Sequence, residues 1–217
     1  MRKMSTALVL LFVVSAGIVA QGAKLSFTWA FVKRAADGSA APLDFSERVT
    51  IATGDLFKIH IQPAASSYVY LVLQDAANDV QLLFPDSFDL FAKTSYAQTR
   101  HFVPEGDNWF TLDSTRGTER FYLVAASERL RSLESLVTTL QKTASNPKST
   151  VAARNAARQA VLDEIRRLIK EHSQLAVAAE KPVTIAGGTR GIDEAVAKLA
   201  IRVETAKFYS RTFRLEH

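Results

Sequence analysis

At residue 127 the hydrophobic pattern of this chain changes period, and that switch constrains the fold more than any other feature. Before it, apolar residues recur at every second position in short runs; after it, they recur every three to four positions. Leu25, Phe27, Trp29 and Phe31 share one face of a first strand, and Phe57, Ile59 and Ile61 alternate with Lys58, His60 and Gln62 in a later one. His60 therefore falls on the polar face of its strand, where exposure is the expectation. Tyr68 to Leu73 and Arg120 to Ala126 are apolar on both faces, which predicts strands covered on both sides. Turn-forming groups separate the runs: Thr53-Gly54-Asp55, Asp75 to Asp79, Pro104 to Asn108 and Ser114 to Gly117. Seven or eight short strands over residues 24–126 predict an antiparallel β-sandwich, immunoglobulin-like or jelly-roll-like.

The later period predicts an inserted two-helix hairpin over residues 127–180. Ser127 is the expected N-cap of a helix carrying Leu130, Leu133, Val137 and Leu140 on one face. Asn146-Pro147 should open a second helix reaching about Ala179, with Val161, Ile165, Leu168, Ile169 and His172 toward the core. Such a hairpin can cover the outer face of a sheet. Residues 181–217 read as a linker and a C-terminal closing strand packed back on the sandwich. Within them, 193–205 fits a helix as well as a strand, and Phe208 to His217 alternates as a strand whose expected partner is 25–32. The class is α+β, mainly β.

The N-terminus predicts export. Arg2 and Lys3 precede an apolar run of fourteen residues, Ala7 to Ala20, followed by small residues. That pattern fits a cleaved signal peptide over residues 1–22, since a run of about 20 is needed to span a bilayer. The competing reading is an uncleaved anchor, because Met4 to Ala23 carries no charge; membrane association follows only in that case. Cleavage would leave a periplasmic or secreted protein, and loss of Arg2 and Lys3 would lower the formal charge from +5 to +3. The chain has no cysteine, so lipoprotein anchoring, disulfides, thiolate nucleophiles and cysteine-ligated metals are excluded.

The other chemistries find little support. His60, His101, His172 and His217 are widely spaced, no HExxH is present, and no metal or cofactor is expected. No GxSxG elbow offers a serine nucleophile, so no catalytic residue is assigned. Gly187-Gly188-Thr189-Arg190-Gly191 lacks the lysine of a phosphate-binding loop and reads as a connection. The basic residues of the second helix divide between faces, Arg154 and Arg158 opposite Arg166, Arg167 and Lys170, without interleaved aromatics. Nucleic acid is accordingly not an expected partner. The connection 85–98 holds Phe88, Phe91 and Tyr96, and Trp109 opens a weaker strand, Trp109–Leu112, after the turn Pro104 to Asn108; these four are the interaction candidates. The same rings could instead plug the end of the sandwich.

Four motifs in order carry a family resemblance. Gly54-Asp55-Leu56-Phe57-Lys58-Ile59-His60-Ile61, Ser67-Tyr68-Val69-Tyr70-Leu71, Leu82-Leu83-Phe84-Pro85 and Gly117-Thr118-Glu119-Arg120-Phe121-Tyr122-Leu123-Val124-Ala125 resemble the bacterial DUF4384 family over about residues 45–130. The resemblance implies an uncharacterised β-rich extracytoplasmic module and transfers no catalytic residue. Its motif positions Gly54, Asp55, Tyr68, Tyr70, Phe84, Pro85, Gly117 and Glu119 read as structural. The expected function is an exported, non-catalytic domain mediating protein or cell-envelope interaction, with the partner a separate molecule. The alternatives are a hydrolase or glycan-active protein using the loop carboxylates Glu105, Asp107, Asp113 and Glu119, and an envelope-anchored subunit of a larger assembly.

Overall fold

A computed structural model describes residues 25–34, 37–112, 115–173, 178–183 and 200–216. The segment 1–22 and the glycine-rich stretch 187–191 lie outside the described residues. The strands form two sheets packed face to face. In the first, β10 (Ala179–Val183), β11 (Ala200–Thr205), β1 (Leu25–Arg34), β4 (Leu56–Pro63) and β7 (His101–Val103) lie side by side, with β2 (Ala40–Pro42) on β1 and β8 (Phe110–Thr111) on β4. The second runs β3 (Val49–Thr50), β12 (Phe208–Glu216), β9 (Thr118–Ala126), β5 (Tyr68–Gln74), β6 (Val80–Phe84). All pairs are antiparallel except β3 with β12.

The period-two alternation decides what each strand buries. Leu25, Phe27, Trp29 and Phe31 point inward to meet Val69, Leu71, Phe121, Leu123 and Phe213 of the second sheet. The opposite side of that sheet is also apolar, through Tyr70, Val72, Val124 and Phe208. It is covered by a hairpin of α1 (Arg131–Ser145) and α2 (Val151–His172), which contributes Leu133, Val137, Leu140, Val161, Ile165 and Leu168. The chain is thus a mainly β, α+β sandwich with helices on one face, as the pattern of β5 and β9 requires.

Several expectations are corrected. The C-terminal strand β12 does not pair with 25–32. It lies in the other sheet between β3 and β9, because β11 already occupies the free flank of β1 from Leu25↔Thr205 to Trp29↔Ile201. The ambiguous segment resolves as strand over 200–205, its remainder lying outside the described residues. Ser127 does not cap α1, since its N–H extends the sheet ladder to the Lys207 carbonyl at 2.9 Å and the helix begins at Arg131. Asn146 ends α1, and Thr150 caps α2 by accepting the Ala153 N–H at 3.1 Å. That second helix stops at His172, and Ala179 begins a strand.

His60 is the sharpest correction: it is fully buried, as is Lys58 at 2% exposure. The outer face of the first sheet carries its own apolar cluster of Ala30, Val32 and Ala200, with Phe102, Trp109 and Val183 against it. Lys58 reaches out of this setting to the Gly106 carbonyl, its ammonium 5.7 Å from the Phe102 ring centre and 5.4 Å from that of Trp109. Burial pushes its pKa below the ordinary lysine value, and Asp107 partly opposes the shift.

The hairpin turn between β5 and β6 lies across the start of β9. A Cβ placed on Gly117 would sit 2.6 Å from the Ala76 Cβ, while the Glu119 carboxylate accepts the Ala76 N–H at 3.2 Å. Gly117→Ala must therefore displace that turn, and overpacking of this kind costs about 1–3 kcal/mol. Chemical denaturation should show a loss in that range. An unchanged midpoint would mean that the turn yields without resistance.

Candidate functional site

The connection after β6 folds back on the sandwich. Ser87 caps a short 3₁₀ turn, Phe88–Ala92, by accepting the Asp89 N–H, and a second turn, Tyr96–Gln98, follows. Phe91 is the hub of this segment, with ring centres of Tyr68, Tyr70 and Tyr96 each 5.2 Å away and Phe88 at 6.3 Å. Tyr96 is buried, and its hydroxyl accepts the Val69 N–H at 3.0 Å. Burial raises its pKa well above the ordinary tyrosine value. Of the four interaction candidates, Phe88, Phe91 and Tyr96 come together. Tyr96 is a core ring, whereas Phe88 and Phe91 are half-buried. Trp109 is half-buried on the other sheet, its ring centre 5.4 Å from the Lys58 ammonium and 5.8 Å from the Arg34 guanidinium.

Behind Phe91 lies a polar network that no sequence spacing announces. The Tyr70 hydroxyl donates to Glu134 Oε1 at 2.7 Å and accepts the Leu130 N–H at 3.0 Å. Arg129 clamps the same carboxylate through Nε at 2.8 Å and Nη2 at 2.6 Å, and its guanidinium lies over Phe91. Burial foremost, with the adjacent carboxylate, pushes the Tyr70 pKa far upward, so the hydroxyl keeps its proton. The network ties the sheet to the first turn of α1 and exposes no reactive group.

The remaining motif positions hold structure in the same way. Gly54 turns the chain before β4 with φ +87°. Asp55 accepts a hydrogen bond from Lys33, which holds its carboxyl below the usual range, and another from the Ala52 N–H. Phe84 and Pro85 are buried at the end of β6, and Tyr68 packs against Phe91. Among the loop carboxylates, Glu105 and Asp107 are exposed, Glu119 is buried, and Asp113 lies outside the described residues. Among the described residues no set of three His, Asp or Glu is placed to hold a metal, and no helix is long and apolar enough to cross a membrane.

Cavities open at two places among the described residues. One, of about 310 Å³, opens beside β1 between β2 and β11 and is lined by Trp29, Phe31, Phe45, Ile201 and Arg211. Arg211 there is already paired with Glu180 and stacked over Trp29 and Phe213. The other, of about 300 Å³, is a groove between β6 and the helical hairpin, with Leu82, Val137 and Leu140 as its apolar floor and Arg154 and Arg158 at its rim. Sequence reasoning missed this groove as a site. The signal was present, because Arg154 and Arg158 stand one turn apart on a helix face opposite the other cations, but the strand that completes the groove is some seventy residues earlier.

These features define a mainly β sandwich with one cavity beside β1 and another between β6 and the helical hairpin. Residues 50–129 match the model of the DUF4384 family, described as a domain of unknown function, so the resemblance carried by the four motifs holds over that stretch. No curated protein and no solved structure matches the chain.

Proposed function

We propose that this protein is a binding module that works outside the cytoplasm and engages a partner protein of the cell envelope along the edge of its second sheet. The observation that carries this reading is the continuity of that edge. Strand β6 ends the sheet, and it runs directly into the connection that presents Phe88 and Phe91 half-buried. Alternate backbone groups of an edge strand face away from its neighbour and can pair with an extended segment of another chain. Gln81, the second residue of β6, is exposed on this strand. The extracytoplasmic setting rests on the charged, then apolar, then small-residue order of residues 1–22.

Site-specific photo-crosslinking in the native host tests the reading. A photoreactive residue at Gln81 or Phe88 should yield one discrete protein adduct, and one at Arg166, exposed on α2, should not. Equal adducts at all three positions, or none at any, would remove the β6 edge as the binding surface.

A further inference from the structure

The groove between β6 and the hairpin holds a cation that has no counter-ion among the described residues. Its two arginines differ sharply. Arg158 is ion-paired with Asp79 at 2.9 Å and also donates to Asn155. Arg154, one turn earlier on the same helix face, has no side-chain hydrogen bond or ion pair among the described residues, and its Nε is buried without a partner. A buried donor left unmade is costly, and a carboxylate in the guanidinium fork would satisfy it with short, charge-assisted bonds. Beside this cation the floor of Leu82, Val137 and Leu140 is aliphatic, which suits an apolar side chain rather than a second charge.

Geometry narrows the occupant further. The Asp79–Arg158 pair bridges the turn before β6 to α2, closing the groove at the end where β6 begins. A segment pairing antiparallel with β6 runs from the Phe84 end toward Val80, so it meets that barrier in its own forward direction. A chain that must stop there, beside an unpaired arginine, presents its terminal carboxylate. We propose that the groove takes the C-terminal carboxylate and last apolar side chain of a partner protein, added as a strand antiparallel to β6. This rests on the reading of the β6 edge as the binding surface and names the part of the partner that fills it.

The test uses the full chain and an array of seven-residue peptides with varied sequences. Each is made with a free C-terminal carboxylate and as its C-terminal amide, with binding followed by fluorescence polarisation. Acids ending in Leu, Val, Ile or Phe should bind and shift the amide signals of Gln81 and Leu82. Amidation or Arg154→Met should each weaken binding about tenfold to a hundredfold, the span of a lost charge-assisted hydrogen bond, with Arg154→Lys intermediate. Because the Arg154 side chain makes no hydrogen bond or ion pair among the described residues, Arg154→Met should melt within about 2 °C of the parent, no more than the shift produced by 1 kcal/mol. Amides that bind as well as acids, or an array with no binder in either form, overturn the proposal. If either result came with a surviving crosslink at Gln81, the terminal-carboxylate inference would fail and the edge reading would stand. Loss of that crosslink would instead remove the edge reading itself.

Discussion

Phe31→Ala should lower stability by about 3–5 kcal/mol, the usual cost of truncating a buried phenylalanine to a methyl group. Phe31 is 2% exposed and joins the two sheets at their centre. Its ring centre lies 4.7 Å from that of Phe213, 5.5 Å from Phe121 and 5.0 Å from Phe45. Truncation removes the transfer free energy of the ring and leaves a space that neighbours from opposite sheets can fill only partly. The loss of four edge-to-face or tilted aromatic contacts, the fourth to Trp29 at 6.1 Å, adds to the area term. For a domain of this size each kcal/mol is about 2–4 °C, so the melting midpoint should fall by roughly 6–20 °C. Phe31→Leu retains part of the volume and should cost less than half as much, while Phe88→Ala, at a half-buried ring outside the inter-sheet core, should cost less still. Urea unfolding of the three variants measures the order. A loss at Phe31→Ala below about 1.5 kcal/mol would mean that the sheets close over the gap, contrary to the close-packed interior assumed here.

The same residues show what was legible in the sequence. Alternation placed Phe31 on the inner face of β1, and two-sided apolar runs placed β5 and β9 between layers, which is why a covering hairpin could be anticipated. Alternation is a property of one strand, whereas pairing is a contest between distant strands. Nothing local in 208–216 says that β11 will take the flank of β1 and send β12 to the other sheet. The expectation for His60 failed for a related reason: with Lys58 and Gln62 its face looked polar, yet Ala30 of β1 stands opposite it and the Phe102 ring of β7 lies 5.4 Å from its own. The aromatic loop 85–98 was legible as a cluster. The direction of its rings was not, because Tyr68 and Tyr70, which receive Phe91, belong to a strand two elements earlier.

The family stretch has a structural consequence of its own. Residues 50–129 include β4 to β9 but exclude β1 and β12, which sit inside the first and second sheets respectively. Without them β4 loses its pairing with β1 and β9 its pairing with β12, so in this chain the matched segment completes its sheets with strands from outside it. The hairpin that walls the β6 groove also lies beyond the match. The matched strand supplies one side of the proposed binding site, and the unmatched helices supply the arginine that would set its specificity.

The second large effect is expected at Glu134, where polar rather than apolar burial holds the hairpin. Glu134→Ala should cost about 2–3 kcal/mol, the worth of hydrogen bonds to a charged group combined with the penalty of stranding their partners. Glu134 is 6% exposed and receives the Tyr70 hydroxyl and both arms of Arg129. After the substitution Arg129 can turn toward solvent from its half-exposed position, which limits its share of the cost. Tyr70 cannot move, because its ring is fixed between the sheet and Phe91 and its hydroxyl still accepts the Leu130 N–H. Tyr70→Phe alone should therefore be destabilising, by about 1 kcal/mol for a lost buried hydroxyl. The double variant should lose less than the sum of the two, with a coupling above about 0.5 kcal/mol, as contacting groups in one network do. The same cycle separates this network from a merely crowded surface: additive losses would mean that Tyr70 and Glu134 act independently. In that case the apolar face of α1, not the buried carboxylate, would fix where the helix starts and how the groove beside β6 is walled.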